Sequence, residues 1–223
     1  MRFVRVLAIA TGLAALLAQS SAAQDDRQFK DAWFWGLKAG ALSYSSATRS
    51  NGGAPLIGAE MLITRTHGGL YISLDQAFLS TTGGFQDRDP DSSFVRYASL
   101  KNMRRFTMAG MVFPAQTRNL HPYFGGGLAF NQIAGAALLA GTINSARYQI
   151  ALDSIQSKKA SFSPILVGGV QVRYKPMSGF VQATASPTQQ SFFLADPNSS
   201  KTVNISLEFG VRYNVGSSID RAR

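Results

Sequence analysis

The sequence predicts an all-β fold, a transmembrane antiparallel up-and-down β-barrel of about eight strands, and three observations carry that prediction. Apolar and polar residues alternate with period two in eight separate segments. No stretch beyond the N-terminus holds eighteen consecutive apolar residues, so a spanning helix is excluded although apolar content is high and charge is sparse. The links between the segments alternate between short and long, as they do when one end of a barrel carries tight turns and the other carries loops.

The N-terminus is read first as a targeting segment. Met1-Arg2-Phe3-Val4-Arg5 precedes an uncharged apolar run from Val6 to Ala18, and Ser21-Ala22-Ala23 supplies small residues where a signal peptidase cuts. Residues 1–23 are therefore expected to be a secretory signal peptide, its apolar run being too short for a membrane-spanning helix. Removing it leaves 200 residues, enough for one domain: an N-terminal segment 24–31, a barrel over 32–215 and a C-terminal tail 216–223. The chain has no cysteine, so disulfides and thiolate metal sites are unavailable, and a closed barrel is one remaining source of stability for an exported protein. Loss of Arg2 and Arg5 lowers the formal net charge from +10 to +8. That excess points to an anionic neighbour. Lipid head groups are favoured over nucleic acid, because the basic residues are scattered singly and form no patch.

The strands are placed at 32–44, 55–65, 68–79, 102–113, 121–132, 162–175, 178–186 and 202–215. The last is the clearest: Val203, Ile205, Leu207, Phe209, Val211, Tyr213 and Val215 share one face, with Asn204, Ser206, Glu208, Gly210, Arg212 and Asn214 on the other. The same parity sets Lys38 against Trp35, Leu37 and Ala39. It also sets Glu60 against Ile57, Ala59, Met61 and Ile63, and Asp75 against Leu70, Ile72 and Leu74. Gln76 interrupts the apolar face of its strand, and 178–186 is weakly patterned.

Alternation alone does not say whether the apolar face points inward, as in a soluble lipocalin-like barrel, or outward into lipid. The connections decide for lipid. Arg65–Gly68, Pro114–His121 and Lys175–Ser178 are short, whereas Ser45–Ala54, Ser80–Lys101, Ile133–Ser161 and Pro187–Lys201 are longer and more polar. Aromatic residues gather near the predicted ends, where rings settle between hydrocarbon and head groups. Trp33, Trp35, Phe113, Tyr123, Phe124, Tyr174, Phe180 and Tyr213 fall at the short-turn end, and Tyr44, Phe78, Phe130 and Phe162 at the other.

Pro122-Tyr123-Phe124-Gly125-Gly126-Gly127-Leu128-Ala129-Phe130 resembles a strand of the outer-membrane-protein β-barrel family, the small OmpA- and OmpX-like barrels of Gram-negative bacteria. The final strand is also similar to that family's assembly signal, through Glu208, Gly210, Tyr213 and Val215, with Val215 standing where an aromatic residue is usual. The resemblance implies an outer-membrane location. It further implies contact with the barrel assembly machinery and with lipopolysaccharide or another anionic outer-membrane lipid.

Sorting strand charges by parity puts Lys38, Glu60, Asp75, Arg105, Arg173, Glu208 and Arg212 in the lumen, as a nearly balanced network. Strand closure brings the last strand beside the first, so Lys38 is expected to pair with both Glu60 and Glu208, and Asp75 to face Arg105. No catalytic, cofactor or metal site is predicted. The two histidines, His67 and His121, fall in predicted short turns and lack the His-x-Ser spacing of the lipid A deacylases found among small barrels. Within the third long link, residues 134–140 are apolar and 146–158 read as an amphipathic helix aligning Tyr148, Leu152 and Ile155. It is expected to cover the barrel mouth, the alternative being contact with lipid or protein. The leading functional expectation is a structural or interaction barrel with a side-chain-filled lumen. A narrow channel or carrier for small solutes comes second, a soluble ligand-binding barrel third and an enzyme last.

Overall fold

The computed structural model describes residues 29, 31–46, 49–86, 95–114, 119–139, 145–174, 176–188, 192–194 and 202–217. The expected signal peptide, most of the segment 24–31 and residues 218–223 lie outside the described residues.

Eight strands close into one barrel in sequence order: β1 (Ala32–Ser46), β2 (Arg49–Thr64), β3 (Gly68–Gln86), β4 (Val95–Val112), β5 (Leu120–Leu138), β6 (Ala160–Tyr174), β7 (Met177–Thr188) and β8 (Thr202–Ser217). Every neighbouring pair is antiparallel, and β8 returns to pair with β1, so no sheet edge is left open. One helix, α1 (Ser145–Lys158), lies between β5 and β6.

The eight segments are those read from periodicity, but their ends on the long-connection side are corrected. Much of what reads as loop is strand. Ser46 pairs with Arg49, Gln86 with Val95 and Pro187 with Val203, so these hairpins run well past the apolar band. β5 likewise continues to Leu138, beyond the predicted limit of 132, while β8 is longer at the short-turn end, reaching Ser217 opposite Ala32 instead of stopping at 215. Main-chain hydrogen bonding continues wherever two strands stay side by side, whether or not apolar residues alternate there.

The outward face is built for lipid. Leu37, Ile57, Leu74, Met108, Leu128, Leu166, Ile205, Leu207 and Phe209 are all exposed on it. An apolar exterior wrapping a closed barrel is the arrangement a bilayer requires, since the hydrocarbon offers no partners for polar groups. Of the aromatic residues assigned to the two ends, Trp33, Trp35, Phe124, Tyr174, Tyr213, Phe78 and Phe162 do point outward. Phe113, Tyr123, Phe180 and Tyr44 are a correction, because all four are buried inside the barrel. Their parity places them on the inward face, and nearness to a strand end does not change the side to which a side chain points.

The lumen is filled in three layers. At the short-turn end Phe34, Leu62, Met111, Phe113 and Tyr123 pack around Phe29. The Phe29 ring meets Phe113 edge-on at 4.9 Å and stacks on His121 at 4.1 Å. At the other end Leu42, Leu56, Leu100, Met103 and Ile133 pack with Ala151 and Ile155 of α1 and with Phe192, Phe193 and Leu194 from the β7–β8 connection. The helix thus sits on inward-facing residues at the barrel mouth. Its buried face is Ala151, Ser154 and Ile155, while Tyr148, expected beside Ile155, is exposed. Between these two apolar layers lie the charges.

Candidate functional site

Three cations and three carboxylates form the middle layer. Lys38 Nζ is 2.7 Å from Glu208 Oε2 and 2.9 Å from Asp75 Oδ1. Arg105 bridges the same two acids, at 3.0 Å from Asp75 and 2.6 Å from Glu208. Arg212 Nε donates to Glu60 Oε1 at 2.5 Å. Bare charge at such depth would be prohibitive, and complete mutual pairing is what makes it tolerable.

Neutral groups tie the ion pairs together. The Tyr71 hydroxyl accepts from Lys38 at 2.8 Å and from Gln182 at 3.0 Å, and donates to Glu60 at 3.0 Å. Gln182 also donates to Glu208 at 2.8 Å and accepts from Tyr123 at 2.9 Å. Arg212 reaches Gln171 at 2.6 Å, and the Arg105 guanidinium donates to Ser206 at 3.2 Å. Each of the eight strands therefore supplies at least one member.

Backbone register explains who pairs with whom. In one row of the sheet Arg212, Gly36 and Glu60 are neighbours; in the next inward-facing row Lys38, Gly58 and Asp75 are. The glycines leave the space across which the charges meet. A Cβ at Gly58 would fall 2.2 Å from Asp75 Oδ1, and one at Gly36 would fall 3.0 Å from Glu60 Cγ.

The expected pairing of Lys38 with Glu60 is corrected here. Lys38 stands opposite Gly58, not Glu60, and it turns away to Asp75 and Glu208, while Glu60 is taken by Arg212 in its own row. Asp75 and Arg105 stand directly opposite each other. Arg173 lies half-buried at the short-turn end of β6 opposite Ser178, which pairs on its other side with Arg212, so Arg173 shares a row with that cluster member. Of the proposed assembly signal, Glu208 and Gly210 face the lumen, and Tyr213 and Val215 face outward on β8.

Tyr71, Tyr123, Gln171, Gln182 and Ser206 are members that charge-sorting missed, although each shares the parity of a charged residue on its own strand or lies on an inward face. His121 is also corrected: it belongs to β5, is buried, and stacks on Phe29 instead of occupying a turn. The pairing of Leu120 with Val172 starts the strand before it. His67 lies exposed in the Arg65–Gly68 turn.

No protein-family model matches the chain, and no curated protein matches it. Solved structures do. Neisserial surface protein A (NspA) aligns over 81% of this chain and 96% of its own, with a TM-score of 0.53 at 10% identity. The chain shares the fold of a small outer-membrane β-barrel. Ail, the attachment invasion locus protein of Yersinia pestis, aligns over 83% of this chain and 99% of its own, at 8% identity and a TM-score of 0.47. At such low identity the likeness concerns the barrel, and the side chains that fill it have to be read on their own terms.

Proposed function

We propose that this chain is a plugged outer-membrane barrel with a structural or interaction role, presenting its long connections on one side of the membrane. The observation that supports this most directly is the stacking of the lumen. A charge-balanced, hydrogen-bonded layer is held between an aromatic plug and an apolar cap, and a path for solutes would have to break all three. Eight-stranded barrels have interiors that side chains fill, and these residues fill this one. On the capped side, exposed Tyr148 and Ile150 of α1 and exposed Leu139 offer apolar contact area to a partner. The assembly machinery and anionic lipid, implied by the resemblance, complete the expected set of partners.

Reconstitution into planar bilayers tests this reading. Silence across the physiological voltage range is the expected result, and steady single-channel openings would overturn it in favour of a narrow channel. The purified barrel should also migrate differently on a gel before and after boiling, and identical migration would count against a closed, detergent-resistant barrel.

A further inference from the structure

Among the described residues, the outward face carries one row of long polar side chains, and its placement is informative. Gln76 on β3, Arg104 on β4 and Gln132 on β5 are consecutive in one row of the sheet, and all three point outward. The next outward row toward the short-turn end reads Leu74, Phe106, Phe130 and Phe162, with the rings of Phe130 and Phe162 4.8 Å apart. Exposed rings also lie on the loop side of the polar row, Phe78 on β3 and Tyr97 on β4, so the row stands within the belt of aromatic rings that marks the hydrocarbon boundary. Arg104 lies eight residues from the short-turn end of β4. That is about 20 Å along the axis of a tilted strand, and its long stem carries the guanidinium the rest of the way out.

A backbone irregularity adds a second cation to the same side. Asn102 has a φ of 56°, and the β3–β4 ladder shifts register beside it, between Ala77 and Ser80. Strict alternation would send Lys101 inward with Met103 and Arg105; the bulge turns it outward, with Leu100 buried behind it. Among the described outward-facing strand residues, Lys101 and Arg104 carry the only charges, and no carboxylate accompanies them. Immediately beside Arg104 and Gln76 a shallow, mostly apolar groove runs over the barrel wall, lined by Leu37, Ile57, Ala59 and Leu74, with Lys38 and Asp75 of the lumen behind it where Gly58 carries no side chain. A positive clamp above an apolar groove matches one kind of molecule.

The geometry points to a binding site for a phosphorylated lipid of the outer leaflet. Its phosphate is held by Arg104 and Gln76, with Lys101 nearby, and an acyl chain lies in the groove. Arg104 already donates toward Gln76 Oε1 at 3.4 Å, which orients the guanidinium and leaves its remaining donors for phosphate oxygens. The inference rests on the membrane-barrel reading and adds a defined lipid site to it.

Native mass spectrometry of the full barrel released from neutral detergent tests the site, with dioleoyl phosphatidate, dioleoylglycerol and inorganic phosphate as probes. The wild type should retain one phosphatidate saturably and dioleoylglycerol far less. Arg104→Gln should weaken phosphatidate about tenfold or more, the scale of losing hydrogen bonds to a charged group. Ala59→Phe, which fills the groove and keeps the clamp, should weaken it too. Equal phosphatidate retention by wild type and Arg104→Gln would overturn the proposal. So would non-saturating adducts, or competition by inorganic phosphate at equal concentration, which would mark a free-anion site. Heat-modifiable migration of each sample is read in parallel, so a failure of the barrel reading would show there, independently of lipid.

Discussion

The middle and the mouth of this lumen are filled by opposite means. The middle holds six charges and their hydrogen-bonding neighbours, and each group there depends on a particular partner at a particular distance. The mouth holds Leu42, Leu56, Leu100, Met103, Phe192 and Phe193, which need only volume and contact. Apolar packing is graded and forgiving, whereas a buried ionic layer fails at once if one member is lost. The contrast teaches where specificity resides in a barrel whose strands are otherwise repetitive.

The largest expected effect tests the ionic layer. Lys38→Met should destabilise the barrel by about 3–5 kcal/mol in reversible urea unfolding, because two carboxylates lose a buried partner. Adding Glu208→Gln should restore part of the loss by rebalancing the charge. Adding Glu60→Gln should restore none, since that change leaves Arg212 without its carboxylate; recovery with Glu60→Gln instead would contradict the register described above. In the mouth, Phe193→Ala should cost about 3 kcal/mol through the cavity it leaves, with no partner substitution able to rescue it except one that refills the volume. Gly58→Ala, between Lys38 and Asp75, should cost roughly 1–3 kcal/mol by crowding. If the crowded group is the Asp75 carboxylate, Gly58→Ala should cost less in an Asp75→Ala background than in the wild type, as read by thermal melting. Tyr148→Ser, on the exposed side of α1, should change stability by less than about 0.5 kcal/mol. A larger loss would mean that the helix uses that face for packing.

Parity made the strands and the inward position of Lys38, Glu60, Asp75, Arg105, Glu208 and Arg212 legible in the sequence, because a period of two needs only local information. Pairing was not legible, because it depends on register across strands. Lys38 and Glu60 lie at similar depth, yet an offset of two residues in the β1–β2 ladder places Gly58 opposite Lys38 and Gly36 opposite Glu60. The apolar mouth was hidden for a different reason. Where both faces of a strand are apolar, as around Leu42 and Leu56, alternation vanishes. Phe192-Phe193-Leu194 sit in a connection with no period to read. Weak patterning in β7 has a similar origin: Gln182 and Thr184 face inward, but the outward residues between and beside them, Ala183 and Ala185, are too small to register as an apolar stripe.

The bridge between Lys38 and Glu208 spans the seam where the chain closes on itself, joining residues 170 positions apart. Contacts of such long range carry the largest loop-closure entropy when they form ahead of the intervening strands. Since β2 to β7 each contribute at least one group to the cluster around that bridge, a barrel lacking any one of them would leave the cluster short of an ion-pair partner or of a hydrogen bond. The cluster therefore works as a tally of strands. It rewards the complete circle and penalises every incomplete one, so that no single strand can peel away without disturbing the rest.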